Sequence, residues 1–321
     1  MRRNDFVASL KAFGYAMAST DHPLLVHFVV IQRCNLSCAY CNEYDDISPP
    51  IPLEVIKKRI RALANLKTAI ITCTGGEPLL HPDMEEIIKE IRNHNIIPFM
   101  ITNGYLLTKE RIQKLNEAGL QGLQISIDNL EPDDVSYKSL KVLDRKLKLL
   151  ADYAKFEVNI SSVLGISDER TSDAITVAEQ AMSYNFKHSV SILHDSNGIL
   201  KPLSPKQYDV YRTIGKRSNV FSHFFNYTLF QKKLIRGETN NWKCRAGARY
   251  LYICEEGLVH WCSQQRGYPG IPLEEYTVKD IRREYKTQKD CSPLCTLTCV
   301  HQISFLDEWR SPQNRPDPIN G

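Results

Sequence analysis

From residue 24 onward the apolar positions fall into two alternating patterns. Leu24 to Gln32 is a nearly unbroken apolar run, the mark of a strand buried on both faces. Leu53, Ile56, Ile60 and Leu63 then recur at the spacing of one helix face, which predicts a helix over Pro52 to Lys67 with proline in its first turn. The alternation continues with strands over Thr68 to Thr74, Ile96 to Thr102, Leu120 to Asp128, Glu157 to Gly165 and His188 to His194. Between them lie helices over Pro82 to Asn95, Thr108 to Ala118 (stopped by Gly119), Leu140 to Leu150, and Asp173 to Asn185. Six strands with intervening helices predict an α/β chain of parallel strands, with ligands at the carboxyl ends of the strands. Periodicity does not separate an open doubly wound sheet from a curved, partial barrel.

The flanks are less regular. Residues 1–23 form a short lead-in, with Phe6, Leu10 and Phe13 at helical spacing. Residues 24–200 hold the repeated units, and 201–240 read as a helical, aromatic-rich connection (Tyr208 to Lys216, Phe221 to Arg236). In 241–310 the runs Tyr250 to Ile253 and Leu258 to Trp261 flank Glu255-Glu256-Gly257 and predict a hairpin. Residues 311–321, with three prolines among polar residues, read as a frayed tail.

Composition narrows the classes. At 42% hydrophobic and 24% charged the chain is ordinary for a globular protein. Its +4 net charge is spread out, without a basic block, so nucleic acid is not an expected partner. No apolar run approaches the ~20 residues of a membrane span, and no export signal follows Arg2-Arg3, so a cytoplasmic location is expected. Ten cysteines then favour metal or redox roles over disulfides.

The densest chemistry is Cys34-Asn-Leu-Ser-Cys38-Ala-Tyr-Cys41, directly after the first strand. Three thiolates in so short a loop can hold one face of an iron–sulfur cluster and leave one iron open. Zinc is the alternative, but structural zinc wants four protein ligands and no fourth lies nearby. After the second strand comes Gly75-Gly76-Glu77-Pro78. Adjacent glycines let backbone approach a ligand closely, or simply make a turn.

Together these two stretches resemble the radical S-adenosylmethionine (SAM) superfamily, whose Cys-x3-Cys-x-aromatic-Cys signature is matched with Tyr40 as the aromatic. The resemblance favours a partial (β/α)6 barrel over an open sheet. It implies that Cys34, Cys38 and Cys41 hold a [4Fe–4S] cluster with SAM on the fourth iron. Reductive cleavage would give methionine and a 5′-deoxyadenosyl radical that abstracts hydrogen from substrate. It also implies Tyr40 near the adenine, Gly75, Gly76 and Glu77 at the SAM amino group, and Asn103, Ser126, Asp128 and Ser162 near ribose and carboxylate. Taken singly, each of the last four reads as a capping or turn residue. Tyr44, Asp45, Asp46, His194 and Asp195 face substrate or are plain loop. Cys73 reads as a small buried hydrophobe.

Cysteines return at 244, 254, 262, 291, 295 and 299. Cys244, twelve residues, Gly257, four residues and Cys262 resemble the opening of the SPASM and twitch auxiliary-cluster modules of the same superfamily. The closing cysteines depart from the seven-cysteine SPASM pattern, so the one-cluster twitch form is the better match: a small hairpin-based module after the barrel. Five candidates, Cys244, Cys262, Cys291, Cys295 and Cys299, then serve four sites, or the fourth site is open or not cysteine. A zinc ribbon using His301 is the alternative. Cys254, at the hairpin tip, lies over ~10 Å from Cys262 and cannot share a cluster with it. It is a structural thiol or, by analogy with radical SAM epimerases, a hydrogen donor.

The resemblance therefore implies an oxidoreductase or isomerase with two [4Fe–4S] clusters and SAM, reduced by an external flavodoxin- or ferredoxin-type donor. Dehydrogenation, cross-linking, epimerisation and adenosyl transfer all remain open. The short lead-in leaves no room for a peptide-binding domain, which leans toward a small-molecule over a peptide substrate. The non-enzyme alternatives are an iron–sulfur electron carrier and a zinc-stabilised binding protein, neither of which needs a SAM cradle.

Overall fold

The computed structural model describes residues 14, 18–41, 45–165, 168–193, 202–217 and 230–310. Phe6, Leu10, Phe13, Tyr44, His194, Asp195, most of the 221–236 helix and the 311–321 tail lie outside the described residues. The chain alternates β1 (Leu25–Ile31), α1 (Leu53–Asn65), β2 (Ile70–Gly75), α2 (Met84–Asn93), β3 (Ile97–Thr102), α3 (Lys109–Ala118), β4 (Gly122–Ile127), α4 (Leu140–Tyr153), β5 (Glu157–Leu164), α5 (Asp173–Ser183) and β6 (Lys187–Ile192). After α6 (Pro205–Arg217) come β7 (Tyr250–Ile253), β8 (Leu258–His260), β9 (Pro269–Pro272), α7 (Val278–Lys286) and α8 (Thr298–Phe305).

β1 to β6 are parallel and lie in sequence order, a partial (β/α) barrel, and a region rich in β-hairpin follows. One sheet face packs on the helices. Val26, Phe28 and Val30 of β1, Ile71 and Cys73 of β2 and Leu123 and Ile125 of β4 join Ile56, Ile60 and Leu63 of α1 and Ile87, Ile88 and Ile91 of α2 in one buried core. The helix boundaries have local causes. The Thr108 hydroxyl accepts from Arg111 N at 3.1 Å to start α3, and Gly119, at φ +92, ends it in the left-handed region that glycine adopts without steric cost.

The hairpin does not stand apart from the barrel. β7 pairs parallel with β1, Leu25 opposite Tyr250 and Phe28 opposite Ile253, and β8 and β9 follow antiparallel. The sheet is thus nine-stranded, in the order β6-β5-β4-β3-β2-β1-β7-β8-β9. Leu251 and Ile253 join the helix-side core, while Tyr250 and Tyr252 join a second cluster with Val29, Trp242 and Cys262. β9 carries two prolines and takes the outermost position, where a missing N–H costs no ladder bond. Among the described residues no helix is long and apolar enough to cross a membrane.

Candidate active site

The cysteine loop leaves the carboxyl end of β1 and is held from three sides. Cys34 N donates to Asp45 O at 2.9 Å, Ala39 N to Val135 O at 2.9 Å, and Glu77 N to Arg33 O at 3.0 Å. The Gly75-Gly76-Glu77 segment therefore continues the β1–β2 pairing past the strand ends. Its glycines are required by protein backbone: a Cβ on Gly76 would lie 2.2 Å from Gln32 O and 2.3 Å from Arg33 O. Gly75, at φ +126, would place one 2.1 Å from Ile31 O.

Glu77 is fully buried. Its Oε1 accepts from Thr102 Oγ1 at 2.7 Å and Leu79 N at 2.9 Å, and its Oε2 accepts from Asn103 N at 2.7 Å. Burial pushes its carboxyl up, and these three donors oppose that shift. The glutamate thus staples the end of β2 to the end of β3, and the staple sets Asn103. Asn103 Nδ2 donates to Asn35 Oδ1 at 2.8 Å and reaches Cys34 Sγ at 3.7 Å, and Leu36 N reaches the same sulfur at 3.4 Å. Burial raises the Cys34 thiol, while these two donors favour its thiolate.

Cys38 is buried, with its sulfur 3.6 Å from Ser136 Oγ. Ser136 donates to Asp128 Oδ2 at 2.6 Å, and Tyr40 donates to the same oxygen at 2.5 Å. Burial, then the Asp128 charge, push the Tyr40 hydroxyl far above its ordinary range. Lys138 Nζ stands 3.4 Å from Asp128 Oδ2 and 4.9 Å from the centre of the Tyr40 ring. The other carboxylate oxygen, Asp128 Oδ1, is buried without a hydrogen-bond partner among the described residues. Cys41 is exposed. Beside the loop opens a cavity of about 660 Å³, lined by Cys34, Asn35, Ser37, Asp46, Tyr105 and Tyr137 among others.

Of the residues expected near the cofactor, Tyr40, Glu77, Asn103 and Asp128 meet around the cysteine loop. Ser126 is partly exposed on the sheet face opposite Ile125 and Ile127. Ser162 is turned away: fully buried, it pairs with His188 Nε2 at 2.9 Å. It shares the helix side with Ile160, while Ser161 faces the other way and pairs with Ser191 at 2.9 Å. Ser136 and Lys138 were not among the expected residues. They lie in a loop with no periodic pattern, and no sequence signal marks them.

Cys244, Cys262 and Cys295 pack in or against the second apolar cluster, while Cys291 is exposed. Burial pushes Cys244 to about 11 and Cys262 to about 12, and raises Cys295 well above the ordinary thiol value. The thiols also act on one another: Cys291 raises Cys244, and Cys244 and Cys291 raise Cys262. Cys244, Cys262 and Cys291 together raise Cys295. Cys299 sits in the first turn of α8 and packs on the same apolar cluster. His301 stacks on Phe230 at 4.0 Å and lies edge-on to Trp242 at 4.9 Å, and burial lowers it to about 4. The ring is packed as part of the apolar cluster around Phe230 and Trp242. Cys254 is 1% exposed, in the tight turn where Gly257 N donates to Cys254 O at 2.9 Å. Cys73 is fully buried in the core.

Among the described residues no three His, Cys, Asp or Glu converge on one ion. A tetrahedral zinc would draw its sulfurs to about 3.8 Å of each other, whereas each thiolate of a four-iron cluster binds a different iron and stands further off. The all-thiol donor set, the amides aimed at Cys34 and the orphaned Asp128 oxygen fit a cluster with a polar cofactor beside it.

A parallel barrel with a three-cysteine loop at its carboxyl rim defines a class of cofactor-dependent catalytic domain. Residues 28–176 match the family model described as the Radical SAM superfamily, and that stretch of the chain is a radical SAM domain. It is 30% identical over 226 residues to a GTP 3′,8-cyclase of a Sulfurovum species, covering 62% of this chain and 66% of that one. It is 35% identical over 123 residues to an AdoMet-dependent heme synthase of Methanosarcina barkeri, covering 37% and 35%. The chain thus spans about two thirds of one relative and about a third of the other. The structure of anSMEcpe with bound AdoMet and Cp18Cys peptide superposes with a TM-score of 0.62 at 17% identity, covering 90% of this chain and 97% of that one. At that identity the likeness is one of fold.

Proposed function

We propose that this chain is a radical SAM enzyme that abstracts hydrogen from a C–H bond of a small molecule or peptide. The observation that carries it is the Cys34–Cys41 loop, pinned by Gly76 and Glu77 at the barrel rim and opening on a cavity. When bound, a [4Fe–4S] cluster with SAM on its open iron supplies reductive sulfonium cleavage and a 5′-deoxyadenosyl radical. Cys34, Cys38 and Cys41 would hold the cluster, with Asn103 Nδ2 and Leu36 N favouring the Cys34 thiolate. Asp128 fixes Tyr40 through one oxygen, and its other oxygen would be open to a hydroxyl of the nucleoside. Gly75, Gly76 and Ser126 complete the cradle through backbone and hydroxyl. Glu77 acts through Asn103.

Cys244, Cys262, Cys291 and Cys295 would hold an auxiliary [4Fe–4S] centre in a twitch-like module over residues 241–310, after a barrel over 24–200. Cys299, in the first turn of α8 and packed on the same apolar cluster, is the fifth candidate for that centre. An external one-electron donor of flavodoxin or ferredoxin type and a reducing, cytoplasmic setting go with ten free cysteines.

The deciding experiment is reductive SAM cleavage by the anaerobically reconstituted chain. Methionine and 5′-deoxyadenosine are expected with reductant, and neither from a Cys34→Ala, Cys38→Ala, Cys41→Ala variant. An iron-loaded wild type that cleaves no SAM would leave an electron carrier.

Cys254 as hydrogen donor is the second reading. Its thiol ends β7 beside β1, whose carboxyl end carries the cluster loop. Cys254→Ala is then expected to keep iron and SAM cleavage but lose solvent deuterium in recovered substrate. Unchanged deuterium would leave the thiol structural.

A further inference from the structure

β4, β5 and β6 carry an uncharged polar row on the face turned away from the helices. Their helix-side positions, among them Ile125, Ile160 and Val190, are apolar and buried. The opposite positions are Gln124 and Ser126 of β4, Asn159 and Ser161 of β5, and Ser189 and Ser191 of β6. A parallel sheet packed into core on both faces would be apolar here as well. Asn159 is the hub of the row: its Nδ2 donates to Gln124 Oε1 at 3.1 Å and to Ser189 Oγ at 2.9 Å. Nearer the carboxyl ends the Ser161 and Ser191 hydroxyls pair at 2.9 Å. Ser161 is buried, whereas Ser191 is exposed and Gln124, Asn159 and Ser189 are partly so. The bonds therefore order the row and leave its surface accessible. Ser126 continues it toward the rim, where Asp128 holds Tyr40 of the cysteine loop.

The limits of the row define what it can bind. At the amino ends Lys187 Nζ is tied to Glu157 Oε2 at 2.7 Å, so the cation on this face of β6 is already paired. Between that pair and the strand ends every side chain on this face of the three strands is uncharged. A phosphate or carboxylate would lose water there and gain no counter-ion. A hydroxyl has no charge to strip of water, and it both donates and accepts. The serine hydroxyls and the two amides do the same, so a run of hydroxyls matches them group for group. On the neighbouring strand Phe99 and Ile101 share this face and are partly exposed. The Phe99 ring lies over Gly122, where a Cβ would stand 2.9 Å from two ring carbons. These two side chains add the apolar flank that suits the C–H face of a ring.

We propose that this row is the specificity wall of the substrate site, and that the substrate it selects is a neutral, polyhydroxylated ring. The inference rests on the hydrogen-abstracting site proposed above, toward which the row runs. The test is saturation-transfer NMR on the full, anaerobically reconstituted chain, with glucose and galactose as probes and glucuronate and galacturonate as their charged counterparts. Transfer to at least one hexose is expected, with weaker or no transfer to the uronates. Asn159→Leu removes the hub, and Gln124→Met keeps the length of the side chain without its amide. Each is expected to weaken hexose binding by about fivefold or more in a titration. No transfer to either hexose overturns the proposal, as does equal or stronger transfer to the uronates, or hexose binding unchanged in a folded variant. Should Asn159→Leu fail to fold, Gln124→Met decides alone. SAM cleavage by the same preparation is scored apart. Cleavage without hexose binding strikes the wall and leaves the proposed function standing, whereas hexose binding without cleavage keeps the wall and strikes the radical reading.

Discussion

Gly76→Ala is expected to lower the melting temperature of the metal-free chain by roughly 6 °C or more and to abolish iron loading at Cys34, Cys38 and Cys41. The added methyl would stand 2.2 Å from Gln32 O and 2.3 Å from Arg33 O. Both are backbone atoms of the segment entering the cysteine loop, so relief requires the loop itself to shift. Overpacking costs about 1–3 kcal/mol even where side chains can yield, and here none can. The Gly76 N to Ile31 O bond of 2.9 Å and the Glu77 N to Arg33 O bond of 3.0 Å would go with it. Thermal denaturation without metal checks this. A glycine reserved for a ligand's approach would leave that melting temperature unchanged, and such a result would show that the segment is held some other way.

Arg249→Met is expected to destabilise the chain by about 3 kcal/mol or more. The Arg249 side chain is fully buried, with Nε 2.8 Å from Asp307 Oδ2 and Nη1 donating to His22 O at 2.8 Å. Its carbonyl receives Leu24 N at 2.8 Å and Leu25 N at 3.1 Å at the start of β1. One residue thus ties the entry to the barrel, the start of β7 and the segment after α8. Among the described residues, removing the guanidinium leaves Asp307, 1% exposed, with Arg310 Nε at 3.2 Å as its ion-pair partner. The cost comes from the stranded carboxylate, so Arg249→Met combined with Asp307→Leu should recover much of the loss. Chemical denaturation of the two single variants and the double variant measures this. Additive losses would mean that the pair contributes through packing alone.

The β/α units were legible because each element carries its own period. Parallel strands covered on both faces read as apolar runs, and the helices show one apolar stripe each, as at Ile56, Ile60 and Leu63. The cysteine loop was legible for the same reason, being local in sequence. The partners of its members were not. Nothing local marks Ser136 beside Cys38, 98 residues away, or the pairing of β7 with β1, whose residues lie more than 200 positions apart. The face of Ser162 was recoverable and missed: it shares the parity of Val158 and Ile160, both helix-side core residues. β9 was hidden because Pro269, Gly270 and Pro272 suppress every strand signal, and only its outermost position tolerates them.

Because β7 lies directly against β1, the strand that leads into the first cysteine loop and the strand of the C-terminal hairpin are neighbours in one continuous sheet, with no hinge between them. The C-terminal part is therefore no detachable accessory. A chain cut at residue 240 would bare Leu25 to Phe28 of β1, the stretch that pairs with β7, as an unprotected apolar edge with a free row of amides and carbonyls. Such a fragment is a template for self-association. For the half that carries the SAM motifs, the second cysteine region doubles as the cover that keeps its first strand from polymerising.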